Sequence, residues 1–122
     1  MTSTDIRTKR IFDPASEADG LRVLVDRIWP RGMTREAAAI DFWMKELGPS
    51  HELRKWFGHR PERWKEFVTR YHQELGGDTS RPLTSRLMDL AQVRGRLTLL
   101  YSARDIQHNQ AIALQTFLRA NE

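Results

Sequence analysis

Leu21-Arg22-Val23-Leu24-Val25-Asp26-Arg27-Ile28-Trp29, closed by Pro30, is the stretch that decides the fold. Strand periodicity places Leu21, Val23, Val25, Arg27 and Trp29 on one face and Arg22, Leu24, Asp26 and Ile28 on the other. Apolar side chains on both faces describe a strand covered on both sides, as in a layered α/β domain. The charges then collect at its carboxyl end, beside a Trp29-Pro30-Arg31-Gly32 turn.

Working outward, Leu97–Tyr101 is a second, almost wholly apolar run and reads as a central strand. Ile6–Phe12 is a shorter first strand stopped by Asp13-Pro14, and Ile40–Leu47 reads as a short strand or extended edge broken by Gly48-Pro49. Between them lie helical patterns. Thr34 caps a short helix, and Ser50 caps another through Phe57 with Leu53, Trp56 and Phe57 inward. Pro61–Leu75 is the clearest helix, with Trp64, Phe67, Val68, Tyr71 and Leu75 on its inner face. Pro82–Val93 follows, and Asp105 is expected to cap a last helix through about Ala120. Leu21–Ile28 and Leu97–Tyr101 are predicted to be parallel neighbours, because the helical segment between them is long enough for a crossover. The expected architecture is one α/β domain over residues 1–122, with a mostly parallel sheet of about four strands flanked by helices.

Composition narrows the function classes. A chain of 122 residues without cysteine has no disulfide, no thiolate metal site and no cysteine nucleophile. Met1–Arg10 is polar and charged, and no run approaches the roughly 20 apolar residues of a membrane span, which points to the cytoplasm and to no membrane partner. The net charge is +4, and of the 20 basic residues only Lys9, Lys45, Lys55 and Lys65 are lysine. Arginine is the side chain for planar, bidentate capture of carboxylate or phosphate.

Two segments carry candidate chemistry. Tyr101-Ser102-Ala103-Arg104-Asp105-Ile106-Gln107-His108-Asn109 is a strand-to-helix junction, where α/β sheets bind ligands and free helix amides accept anions. Asp26-Arg27-Ile28-Trp29-Pro30-Arg31-Gly32 ends the neighbouring strand. Together they give a candidate site in which Arg27, Arg31, Tyr101, Arg104 and Asn109 bind a small phosphate- or carboxylate-bearing ligand. Asp26 and His108 are the candidate acid–base groups. The bland reading makes Asp26 a structural ion-pair partner of Arg22 or Arg104. A third segment, His51–Trp64, mixes histidine, arginine and tryptophan, and supports the alternative of a nucleic-acid-binding accessory protein using Arg54, Lys55, Trp56, Arg60 and Arg63. His51, His59 and His72 match no metal-ligand spacing, and no Walker loop, G-x-G-x-x-G, G-x-S-x-G or HExxH motif occurs, so no metal or cofactor is assigned.

Three long stretches, KRIFDPASEADGLRVLVDRIWPRG (residues 9–32), LGPSHELRKWFGHRPERWKEF (47–67) and LTLLYSARDIQHNQA (97–111), closely resemble the YeaO-like bacterial proteins of domain-of-unknown-function family 488. The resemblance covers about residues 6–118. It implies a small α/β bacterial cytoplasmic domain with no assigned activity, and so gives no chemical role to the candidate residues. Similar sequences tend to carry aspartate where this chain has Arg60, which implies a less firmly capped helix at Pro61.

Overall fold

The computed structural model describes residues 4–122. Four strands, β1 (Asp5–Arg10), β2 (Leu21–Leu24), β3 (Phe42–Trp43) and β4 (Arg96–Tyr101), form one sheet in the order β1-β4-β2-β3. Every pairing is parallel, with Leu21 opposite Leu97 and Leu24 opposite Leu100. The most apolar strand, β4, lies inside the sheet, as its sequence predicts. Five helices accompany it: α1 (Arg35–Ala38), α2 (His51–Phe57), α3 (Trp64–Leu75), α4 (Arg81–Arg94) and α5 (Gln110–Ala120).

The faces are unequal. Leu21, Val23, Val25, Leu97, Leu99 and Tyr101 pack with α2, α3, α4 and α5 in the main core. Phe67 and Tyr71 are its largest buried side chains. Phe57 stacks on Phe67 at 4.4 Å, Phe67 stacks on Tyr71 at 5.6 Å, and the Tyr71 hydroxyl donates to the Leu47 carbonyl at 2.6 Å. Leu24 and Leu100 point to the other face, where Ile11, Ala38, Trp29 and Trp43 form a smaller cluster. That face also buries Arg22, whose guanidinium reaches Asp19 at 2.6 Å and the carbonyls of Ala38 and Ala39. A buried guanidinium is tolerated because each group it faces accepts a hydrogen bond.

Four expectations change. β2 ends at Leu24 rather than near Trp29. Asp26 and Arg27 lie beyond the sheet, Asp26 bonded to Ser102 and to Gln110 of α5 and Arg27 to the Gly48–Pro49 turn. The last helix starts at Gln110, with Asn109 as its cap accepting from the Ile112 amide at 3.1 Å. Asp105 instead folds its own loop, accepting from the Gln107 and His108 amides at 2.9 and 3.0 Å. Trp64 is half-buried, whereas Phe67 and Tyr71 are buried as expected. Pro61–Arg63 forms a tighter 3-10 turn before α3, and Arg60 gives no side-chain cap.

Candidate functional site

A parallel sheet sends every strand's carboxyl end to the same side. The loops after β2 and β4 therefore meet, and α2 closes the third side. Between them lies a cleft of about 710 Å³ lined by Asp26, Arg27, Arg31, Arg54, Arg104 and Asp105, with His59, Ser102 and Gln110. Four of the residues selected from sequence, Asp26, Arg27, Arg31 and Arg104, thus share one wall system.

Asp26 is only 7% exposed. Its carboxylate accepts from the Ser102 amide at 3.1 Å, the Ser102 hydroxyl at 2.5 Å and the Gln110 side-chain amide. Burial raises its pKa above the ordinary aspartate value, outweighing those donors and the charge of Arg54. The ion pair with Arg22 or Arg104 that the structural alternative requires is absent: Arg22 pairs with Asp19. Asp26 ties the loop after β2 to the loop after β4 and to α5.

Arg27 has a different task from the one its position suggests. Its guanidinium donates to the carbonyls of Gly48 and Pro49 at 2.8 and 3.0 Å. Ser50, next in the chain, caps α2 and is held by Glu74 through its amide at 2.9 Å and its hydroxyl at 2.6 Å. Arg27 therefore fixes the start of α2, and with it the residues α2 brings to the cleft. Arg10 does the same behind the opposite wall, donating to the carbonyls of Ser102 and Ala103 at 3.2 and 3.0 Å. Both loops are thus braced, one by Arg27 from the cleft wall and one by Arg10 from outside the cleft lining.

Three guanidiniums remain. Arg31, Arg54 and Arg104 line the cleft with no hydrogen-bonded or ion-paired partner among the described residues. Arg31 and Arg104 are exposed and Arg54 is half-buried. The sequence placed Arg54 only in the nucleic-acid alternative, and the packing of α2 brings it to the cleft at the strand ends.

A second depression of about 430 Å³ adjoins the cleft and shares Pro49, Arg54, His59 and Gln110 with it. His108 lines this depression rather than the cleft, with Nδ1 on the Asp105 carboxylate at 2.9 Å and its ring edge-on to Trp64 at 5.3 Å. The amide of Gln107, together with His108, holds Asp105 below the usual carboxylate range. Asn109 also reaches the second depression, but its side chain is spent on capping α5 and on the Asp105 carbonyl. Tyr101 lines neither cavity. It is buried in the main core, and burial raises its pKa against the opposing influence of Arg10 and Asn109.

His59 lies on the wall between the two cavities. Its φ of 56° is left-handed, as is that of Gly58 before it. Such a conformation costs a non-glycine residue about 1–2 kcal/mol. No sequence pattern marks it.

Of the residues proposed from sequence for nucleic acid, Lys55 and Arg60 are exposed, Arg54 lines the cleft, and Arg63 and Trp56 are in contact. Arg63 donates to the Trp56 carbonyl, and both Arg63 and Arg70 lie over the Trp56 ring. Among the described residues no group of three or more histidine or acidic side chains is arranged to hold a metal. No helix among them is long and apolar enough to cross a membrane.

Residues 5–122 match a family model described as the inactive DUF488-N3 subclade, DUF488-N3i. The chain is 42% identical over 116 residues to the uncharacterized protein YeaO of Escherichia coli strain K12, covering 95% of this chain and 98% of YeaO. It is 36% identical over 117 residues to the uncharacterized protein Rv3073c of Mycobacterium tuberculosis strain H37Rv, covering 94% of each. The uncharacterized protein Mb3100c of Mycobacterium bovis gives the same figures. No solved structure matches the chain.

Proposed function

The chain belongs to the YeaO-like branch of the DUF488 family, and from that premise we propose that it acts in the cytoplasm as a single domain that binds a small anionic ligand. The ligand carries a phosphate or carboxylate and sits in the cleft at the strand ends. The observation that carries this reading is the trio Arg31, Arg54 and Arg104, unpartnered guanidiniums on the walls of one cavity. Like charges held near one another repel, and an anion between them relieves that repulsion while using their planar donors. Arg27 serves as a positioning residue, through the turn that begins α2.

Binding without turnover is the version favoured. The oxygens of Asp26 are taken up by Ser102 and Gln110. His108, the other candidate acid–base group, is tethered to Asp105 in the adjoining depression. The family's description as an inactive subclade points the same way.

The test is a titration of inorganic phosphate and of simple carboxylates into the intact protein and into Arg104→Ala, followed by calorimetry and thermal melting. Arg104→Ala is expected to melt with the parent and to lose anion binding. An early-melting variant, together with an intact protein that takes up no anion, sinks the reading. Salt separates it from the nucleic-acid alternative, because binding to a phosphate backbone falls steeply with salt concentration.

A further inference from the structure

The geometry points to a two-part ligand, a phosphorylated heteroaromatic ring of the nucleoside monophosphate class, with its anion in the arginine cleft and its ring in the adjoining depression. This inference rests on the anion reading above and adds to it the identity of the rest of the molecule.

The two cavities are continuous, since Arg54, His59, Pro49 and Gln110 belong to the walls of both. A ligand that filled the cleft alone would leave its neighbour open at a shared boundary. At about 430 Å³ the second depression has room for a planar ring system. Its chemistry differs from that of the cleft. Phe57 and Phe67, buried and stacked on each other, back its apolar side from within the core, and His51, His59 and His108 supply three of the chain's four imidazoles. His108 has Nδ1 committed to Asp105, and Nε2 has no partner among the described residues. The ring nitrogens of His51 and His59 likewise have none. Each free imidazole nitrogen donates or accepts according to its tautomer, which suits the mixed donor and acceptor edge of a heteroaromatic base.

A sugar phosphate or a short dicarboxylate would not use this lining, because it has no flat ring to set against the imidazoles. A nucleoside monophosphate has both parts, joined by a ribose that spans the Arg54–His59 boundary. The left-handed backbone of His59 places an imidazole at that boundary. Strained non-glycine backbone of this kind persists where surrounding structure fixes it, and it clusters at ligand sites.

The experiment is isothermal titration of the full chain with AMP and UMP, each compared with ribose 5-phosphate, inorganic phosphate and adenosine. Base stacking on aromatic side chains is worth about tenfold or more in affinity, so AMP or UMP is expected to bind at least that much more tightly than ribose 5-phosphate. His51→Ala, exposed on the first turn of α2 and outside the lining of the arginine cleft, should reduce that advantage and leave phosphate affinity unchanged. A 5′-phosphorylated dinucleotide in the same series distinguishes a free nucleotide from one at a strand end. Equal affinity for AMP, UMP and ribose 5-phosphate overturns this inference and leaves anion binding standing. Failure of phosphate and of every phosphorylated compound overturns the anion reading itself. Adenosine binding as tightly as AMP overturns both.

Discussion

The carboxylate of Asp26 accepts from both the backbone amide and the hydroxyl of Ser102, at 3.1 and 2.5 Å, joining the loops that leave two adjacent parallel strands. One acidic side chain thus sets the spacing of the cleft's two strand-end walls. The same carboxylate receives the Gln110 side chain from α5.

Asp26→Ala should therefore destabilise the fold by about 1–3 kcal/mol, since it strands the Ser102 amide and the Gln110 amide in a buried place. Asp26→Asn separates charge from hydrogen bonding, because an asparagine still accepts from Ser102 and the Gln110 amide can turn round. Burial raises the Asp26 pKa above 3.8 in the folded protein, so the folded state holds this proton more tightly than the unfolded chain. Below 3.8 both states are protonated and the residue adds no pH dependence. As pH climbs from there through the folded-state value, the wild type loses stability relative to Asp26→Asn, and above it the loss is complete. Urea melts of the two proteins across that window check this, and a pH-independent difference would show that Asp26 ionises as freely as it does in water.

Arg27 and Arg104 should respond oppositely to truncation. Arg27→Ala removes two hydrogen bonds from a charged donor to the Gly48–Pro49 turn and should cost at least about 1.5–3 kcal/mol. Arg104→Ala removes an exposed side chain without a partner and should stay within about 0.5 kcal/mol of the parent. Thermal melts of both variants decide the matter, and equal losses would mean that Arg104 is also part of the scaffold.

On the thinner face of the sheet, Arg22→Ala leaves the carbonyls of Ala38 and Ala39 without their donor and removes one of the three donors to the Asp19 carboxylate. Breaking a buried pair in this way should cost about 3–5 kcal/mol. Lys9 also reaches Asp19, at 3.1 Å. A denaturation midpoint close to that of the wild type would show that Lys9 and the Ser16 amide together satisfy the carboxylate.

Gly20 and Gly32 both have positive φ, 67° and 83°. A Cβ on Gly20 would lie 2.4 Å from the Arg96 carbonyl oxygen, whereas one on Gly32 meets nothing within 4 Å. Gly32→Ala should cost only the backbone term, about 1 kcal/mol. Gly20→Ala should cost clearly more, because backbone of the central strand β4 must move. Chemical denaturation of the pair isolates the contact, and equal losses would place Gly20 further from β4 than the structure does.

The sequence by itself determined the sheet and its polarity. Leu21–Leu24 and Leu97–Tyr101 are apolar on both faces, and burying both faces requires helices on each side and a crossover between parallel strands. Period-two and period-3.6 patterns are local, so each element declares itself wherever the chain happens to run. The Ser50 cap and the Phe67, Tyr71 and Leu75 face of α3 were legible for the same reason. Membership of the arginines in the site was not. Arg10, Arg27 and Arg63 are indistinguishable by type and neighbourhood from Arg31, Arg54 and Arg104, yet the first three grip backbone carbonyls. A guanidinium on a long flexible stem takes whichever acceptor the tertiary structure brings within reach, and the carbonyls of Gly48 and Pro49 lie 21 and 22 residues from Arg27. Asp105 and Asn109 are equally good caps by composition, and packing of α5 against β1 and β4 selected the later one. Only the tertiary structure decided which charges were left over, because a side chain is free for a ligand when every acceptor near it has been claimed by something else.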